Sequence, residues 1–339
     1  IPSGVNGDTG TVGNTAFRAE LTLSFSTLKP CHVLYPAMDY CGKTVVAQVG
    51  INKGVIYDSP YLTETIDGSR LRSFLPKKEV SANKGTTGTL TVACGSYGMM
   101  GAAQMCIQAA LRSGTGLVKS ILPSNLYPIL ANNIPQAVFF PYTGTDTIDM
   151  LKKSMEKTKA VVAGCGLGTT TKSKEITEYI IHNSTVPVVL DADALNVISD
   201  NIDILKEAKS QTIITPHPGE MARLLETNVP MIQNNRLTVA TEFAKRYNVI
   251  VVLKGAYTVV AHPNGNNGMA KAGCGDVLAG IIGSLISQGV SPFNAAVSGV
   301  YCHGYAGDLA REKFGSMGML STDIIDMLPK CMQDIYLVD

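Results

Sequence analysis

Residues 160–168 read AVVAGCGLG and residues 186–196 read VPVVLDADALN: each is an apolar, β-branched run that ends abruptly in glycines or carboxylates. A strand with one face in water alternates apolar and polar residues. A strand that is apolar throughout is buried on both faces, as in a parallel sheet covered by helices. The same texture marks Thr89–Cys94, Ala160–Gly164, Val186–Leu190, Thr212–Thr215 and Val249–Leu253. Between these runs, apolar residues recur at helical spacing over Ala102–Ser113, Thr171–His182, Gly219–Glu226 and Ile232–Tyr247. This alternation predicts an α/β fold with a mostly parallel central sheet and helices on both faces.

The 339 residues exceed one ordinary domain and suit one large domain with an appendage. Charged residues are 16% and the net charge is +1, which argues against a nucleic-acid surface or an acidic tail. No segment reaches the roughly 18 apolar residues of a membrane span. The start, Ile1-Pro2-Ser3-Gly4, lacks the basic region and apolar core of a secretory signal and lacks an initiator Met. The expectation is a chain that begins partway through a longer gene product. Eight cysteines are scattered with no C-x-x-C pair. They read as free thiols in a reducing, cytoplasmic compartment, not as a disulfide framework or a zinc site.

Texture changes along the chain. Residues 1–52 carry two β-like runs, Leu21–Phe25 and Thr44–Ile51, with turn residues between them and no evident helix. So short a β-rich piece buries little core alone. Residues 53–82, with Pro60, Pro76 and Lys77-Lys78, read as a linker with a short helix over Gly68–Phe74. The alternating pattern fills residues 83–339.

In open parallel sheets, ligands bind beyond the carboxyl ends of the strands. Six loops lie at such ends. Gly95-Ser96-Tyr97-Gly98-Met99-Met100-Gly101 precedes a helix and could cradle a phosphate on backbone N–H groups, or be a turn required for close packing. Gly164-Cys165-Gly166-Leu167-Gly168 lets the backbone approach a ligand closely. Asp191 and Asp193, with Asn196, could hold Mg²⁺ or orient a hydroxyl, although one of the two carboxylates is expected to cap a helix. His217, between Pro216 and Pro218, is aimed outward and is a candidate ligand contact; Glu220 favours a first helical turn. Lys254 ends a buried strand and needs an anion, either a phosphate or a sheet-edge carboxylate. Asn266–Asp276 leads into a helix over Val277–Leu285. Its glycines would form an anion hole at the helix N-terminus, with Asp276 beside it as a proton acceptor or as a plain N-cap. Donors for developing charge together with a base for an alcohol are what phosphoryl transfer requires.

These loops, in this order, resemble the ADP- or ATP-dependent NAD(P)H-hydrate dehydratase family. The resemblance rests on nine collinear strings: NKGTTG (83–88), GSYGMMGAA (95–103), AALRSGTGLV (109–118), GCGLG (164–168), VLDADALN (189–196), TPHPGE (215–220), LKGAYT (253–258), GMAKAGCGDVLAG (268–280) and YCHGYAGD (301–308). It implies a ribokinase-like three-layer α/β/α sandwich. Residues 1–52, through IPSGVNGDTG, RAELTLSFSTLKP and VAQVGI, resemble the C-terminal end of the NAD(P)H-hydrate epimerase domain that precedes the dehydratase in bifunctional members. The run resembles only that end, so no epimerase activity is expected.

By resemblance, the S epimer of hydrated NADH or NADPH is dehydrated at the expense of ADP or ATP, a metabolite-repair lyase reaction. Asp276 would activate the ring hydroxyl. Ala102, Gly166 and His217 would join Asp276 in contacting the hydrated dinucleotide. Lys254, Gly255, Ala256, Tyr257, Thr258 and Gly275 would hold the adenine nucleotide. Mg²⁺ is implied without identified ligands, as is a homo-oligomer. Many members have Gly-Gly-Thr-Gly-Asp where this chain has Ala272-Gly273-Cys274-Gly275-Asp276, which removes a hydroxyl donor but leaves backbone N–H groups in place. Two other readings compete: a ribokinase-like kinase for a vitamin precursor, and a non-catalytic nucleotide-binding module.

Overall fold

The computed structural model describes residues 1–57, 63–76, 87–255, 258–261 and 275–337. Near the N-terminus, β1 (Leu21–Phe25) and β2 (Lys43–Ala47) pair in parallel as a two-stranded sheet. The main sheet has eight strands: β3 (Thr89–Ala93), β4 (Leu117–Pro123), β5 (Val138–Tyr142), β6 (Ala160–Ala163), β7 (Val188–Leu190), β8 (Thr212–Ile214), β9 (Ile250–Leu253) and β10 (Val259–Ala261). Their order is β10-β9-β8-β7-β6-β3-β4-β5, parallel throughout except for β10 against β9. The chain moves outward from β3 to β4 and β5, then returns to β6 on the other side of β3. That reversal opens a crevice at the carboxyl ends of β3 and β6, where two of the Gly-rich loops lie.

The strand residues divide by parity between two apolar layers. Leu90, Val92, Val162, Val189, Ile213 and Val252 face one core, packed against the helices Met100–Arg112, Gly275–Ser287, Pro292–Gly318 and Ser321–Leu337. Val161, Ala163, Val188, Leu190, Ile214 and Val251 face the other, which includes Ile176 and Ile180 of the Thr171–Asn183 helix and Phe243 and Ala244 of the Arg236–Tyr247 helix. Burial on both faces is why the runs show no alternation, and the expected three-layer α/β/α arrangement is present. Among the described residues, no helix is long and apolar enough to cross a membrane.

Several expectations need correction. β4 and β5 gave no apolar run: β4 contains Lys119 and Ser120, and β5 contains Pro141, which the outer edge of a sheet tolerates. The expected helix Ile232–Tyr247 is two, Val229–Asn234 and Arg236–Tyr247. Asn235 separates them, and its side chain donates to the Met231 carbonyl at 3.0 Å, a local bond that competes with helix continuation. Residues 1–52 contain two helical turns, Pro30–Val33 and Met38–Cys41, where none was evident. In β1, Thr22 and Ser24 are buried while Leu21, Leu23 and Phe25 are exposed, so the apolar face of this strand has no cover among the described residues. The short helix expected within the linker stretch is present as Gly68–Arg72, capped by the Asp67 carboxylate, but Leu71 and Leu75 join the main core.

The helix that carries Asp276 is apolar on every side and lies between the sheet and its neighbours. It meets the Met100–Arg112 helix at Gly280, where a Cβ would stand 2.3 Å from the Cys106 carbonyl oxygen. Backbone cannot yield as a side chain can. Gly280→Ala should therefore lower stability by about 1–3 kcal/mol, as overpacking does. Gly307→Ala, with open space around the added carbon, should be neutral or stabilising by up to about 1 kcal/mol from helix propensity. Denaturant midpoints at constant slope check both.

Candidate active site

The first two glycine loops lock together. The Gly95 N–H donates to the Cys165 carbonyl at 2.9 Å, and the Ser96 hydroxyl donates to the Gly166 carbonyl at 2.9 Å. Gly166 has φ +59°, and a Cβ there would meet the Ala102 methyl and the Met99 carbonyl at 2.8 Å each. Ala102 lies in the first turn of the Met100–Arg112 helix and is half-buried. Two residues expected to share a ligand are thus in contact, though 64 positions separate them.

Asp191 is buried, 1% exposed, at the end of β7. Its Oδ1 accepts from the Lys254 ammonium at 2.6 Å and from the Thr215 hydroxyl at 2.6 Å. Lys254 also lies 3.7 Å from Glu220. Of the two partners anticipated for this lysine, the structure supplies the carboxylate. Burial pushes the Lys254 ammonium toward neutrality, but Asp191 and Glu220 more than reverse this, and its pKa lies above the usual lysine value. Gly275 packs against this pair: a Cβ there would stand 2.9 Å from Lys254 Nζ and 3.2 Å from Asp191 Oδ2.

The helix begins at Gly275, which puts Asp276 in its first turn and not at the N-cap. Its carboxylate clusters with the Cys165 sulfur and the Asp191 carboxylate, all within 4.8 Å of one another. Burial, then the negative charge of Asp191, pushes Asp276 up to about 6. The side chain is half-buried.

Asp193 accepts from the Gly168 N–H at 2.8 Å and from the Asn196 amide at 3.2 Å, which pins the second glycine loop. Neither Asp191 nor Asp193 caps the Asp193–Val197 helix, contrary to expectation. Ala192 takes that position at φ +46°, and no side chain bonds the helix end. Asn196 is held in turn by Arg223.

His217 is itself an N-cap. Its Nδ1 accepts from the Gly219 and Glu220 N–H groups at 2.9 and 3.2 Å, and Glu220 accepts from the His217 N–H at 2.7 Å, a reciprocal capping box. The side chain is still 54% exposed, and its Nε2 lies 3.4 Å from the Glu220 carboxylate. Thr258 is buried, and its hydroxyl donates to the Gly255 carbonyl at 3.4 Å. Ala256, Tyr257 and residues 262–274, including most of the sixth loop, lie outside the described residues.

One contributor, Arg236, had no local sequence signal. Buried Arg236 donates to the Leu253 carbonyl at 2.9 Å and sits against Gly255, where a Cβ would meet its Nη1 at 2.3 Å. Burial lowers its pKa to about 10, so it stays a cation and fixes the turn after β9. Cys165 bridges the glycine loop to both carboxylates. A hard cation such as Mg²⁺ needs oxygen donors and keeps waters and phosphates as ligands. Asp191 and Asp276 supply oxygen, and Asp191 is already engaged by Lys254 and Thr215. The donor chemistry fits an ion held chiefly by a nucleotide's own phosphates. A separate cavity of about 380 Å³, lined by Arg112, Gly114, Gln288 and Tyr336, lies at the far ends of these helices, away from the carboxylates.

The fold and the cluster of glycine turns, carboxylates and a buried lysine at its strand ends define an α/β protein of the ribokinase-like class. A ribokinase-like superfamily protein from Enterococcus faecalis shares the fold with a TM-score of 0.70 at 21% identity, covering 80% of this chain and 96% of that one. The profile of the NAD(P)H-hydrate dehydratase family matches residues 90–330, and the chain belongs to that family. The bifunctional NAD(P)H-hydrate repair enzymes of Moorella thermoacetica and Escherichia coli are 34% and 37% identical to it, over 99% and 97% of this chain. The chain spans 66% and 64% of their lengths. An ADP-dependent (S)-NAD(P)H-hydrate dehydratase from Neisseria meningitidis is 40% identical over 72% of this chain and 84% of its own. The ADP/ATP-dependent NAD(P)H-hydrate dehydratase of Bacillus subtilis, crystallised with ATP and Mg²⁺, matches with a TM-score of 0.71 and 28% identity, over 80% of this chain and 99% of that one.

The Lys254–Asp191 pair makes a sharp test of the local energetics. Removing one partner leaves a buried charge uncompensated, so Lys254→Met should cost about 3–5 kcal/mol. The double variant Lys254→Met/Asp191→Leu should recover part of that loss. Chemical denaturation of the single and double variants measures both.

Proposed function

We propose that this chain dehydrates the S epimer of hydrated NADH or NADPH with ADP or ATP as co-substrate, restoring the reduced dinucleotide. The observation that carries the reading is the state of Asp276: a half-buried carboxylate in the first turn of a helix, its pKa raised to about 6, beside a glycine start. A base poised near neutrality can take an alcohol proton and remain mostly ionised at pH 7. In the proposed reaction, Asp276 accepts the proton of the ring hydroxyl as its oxygen bonds to the terminal phosphorus. The bridging P–O bond breaks, and AMP or ADP leaves. Loss of phosphate from one ring carbon and a proton from its neighbour then restores the double bond.

The chain's own residues supply orientation for these steps. Gly166 and Ala102 form a close-packed floor for the dinucleotide, and the exposed edge of His217 borders it. Lys254, Gly255, Ala256, Tyr257, Thr258 and Gly275 form the proposed nucleotide side. The N-terminal end of the Gly275–Ser287 helix favours the charge that develops on the phosphoryl oxygens. Mg²⁺, when bound, would neutralise phosphate charge, with Asp191 and Asp276 at hand to hold its waters. Residues 1–52 are proposed to be the C-terminal part of an epimerase-like region, as the bifunctional relatives suggest, residues 53–82 a connecting stretch, and residues 83–339 the dehydratase. A cytoplasmic location suits the seven described thiols, all free, and assembly into a homo-oligomer belongs to the same reading.

Turnover is read as recovery of NADH absorbance from hydrated NADH with ADP or ATP; a kinase would instead leave a stable phosphorylated product. Asp276→Asn should abolish recovery while leaving nucleotide affinity nearly unchanged, as equilibrium binding would show. Loss of both would make the carboxylate structural. In the parent chain, the rate should rise with pH through about 6 and then level off, because the protonated acid cannot accept the hydroxyl proton.

A further inference from the structure

Three cysteines from distant parts of the chain meet beneath this site. Cys94 follows β3, Cys106 lies on the Met100–Arg112 helix and Cys165 lies in the GCGLG turn. All three are fully buried, and their sulfurs lie within 4.8 Å of one another. Thiolates bound to zinc at about 2.3 Å in tetrahedral geometry stand about 3.8 Å apart, so closing the set requires movements of no more than about 1 Å. Each sulfur comes from a different element, which fixes the set without any local sequence motif. Cys165 also belongs to the neighbouring group with Asp191 and Asp276. The half-buried Asp276 gives a cation an acidic way in from solvent.

A second group, Cys31, His32 and Cys41, is a weaker candidate. The His32 Nδ1 accepts from the Lys29 N–H at 3.0 Å, which places the ring proton on Nε2 and leaves no lone pair there for an ion. Cys302 and Cys331 offer two sulfurs only.

We infer that Cys94, Cys106 and Cys165 form a binding site for a thiophilic divalent cation of the zinc class, tied through Cys165 to the Asp276 carboxylate. Soft thiolates select such ions over Mg²⁺. Binding breaks three S–H bonds and forms three metal–sulfur bonds. Three protons pass to solvent, no electrons move, and the loaded set carries one net negative charge. Loading withdraws the proton that the Cys165 thiol directs at the Asp191 carboxylate, 3.8 Å away. The site stands apart from the proposed function.

The test uses the full chain, reduced, freed of added thiols and kept anaerobic, with Cd²⁺ as the probe. The thiolate-to-cadmium ultraviolet band should saturate at one ion per chain with three protons released. It should vanish in Cys94→Ser/Cys106→Ser and persist in Cys31→Ser/Cys41→Ser, Cys302→Ser/Cys331→Ser and Cys274→Ser. Cys106→Ala, checked for native circular dichroism, guards against misfolding of the double variant: its band and proton count should fall by about one third. No band in the parent, or an undiminished band in folded Cys106→Ala, overturns the site. Absence of turnover in metal-free parent overturns the proposed function and leaves the site standing.

Discussion

A single carboxylate oxygen organises the site. Asp191 Oδ1 accepts from Lys254 at 2.6 Å and from Thr215 at 2.6 Å, so one atom ties together the carboxyl ends of β7, β8 and β9. Asp191 is 1% exposed. A charge so buried is tolerated only where partners replace its water. Lys254, reaching from the adjoining strand end, supplies the counter-charge, and Glu220 adds a second contact to the lysine. The geometry of this pair decides where everything else can go.

Glycine is required wherever the chain passes close to that pair. At Gly164, φ is +119° and a Cβ would lie 1.8 Å from the Asp191 carbonyl oxygen. At Gly275, it would press on the lysine ammonium itself. The backbone therefore closes on the buried charges from both sides, and Asp276, one residue along, is brought within range of Asp191. Its raised pKa follows from burial and this proximity. Structure and reactivity share one cause here: the fold places a second carboxylate beside one that is already fixed and charged.

Much of this was legible in the chain. Strands buried on both faces have no alternation, so the central strands stood out as apolar runs, and the strand-end rule pointed to the loops that carry Gly166, His217, Lys254 and Asp276. β4 and β5 escaped notice because Lys119 and Ser120 in one and Pro141 in the other break up any apolar run. Arg236 escaped because nothing in its neighbours announces that it turns under Gly255, a contact across 19 positions. Asp193 was misjudged as a possible cap because the pull of the Gly168 N–H comes from another loop.

By itself the sequence determined the layered α/β class, the two-part texture of the chain and the strand-end loops rich in glycine, carboxylate and lysine, because periodicity and loop chemistry are local properties. Only the tertiary structure decided how those residues are paired. It paired Lys254 with Asp191, set the environment of Asp276, and gathered Cys94, Cys106 and Cys165, which are scattered along the chain, into one buried group. Pairing depends on distances between strand ends that are neighbours in the sheet but remote in sequence, and those distances exist only once the sheet order is set.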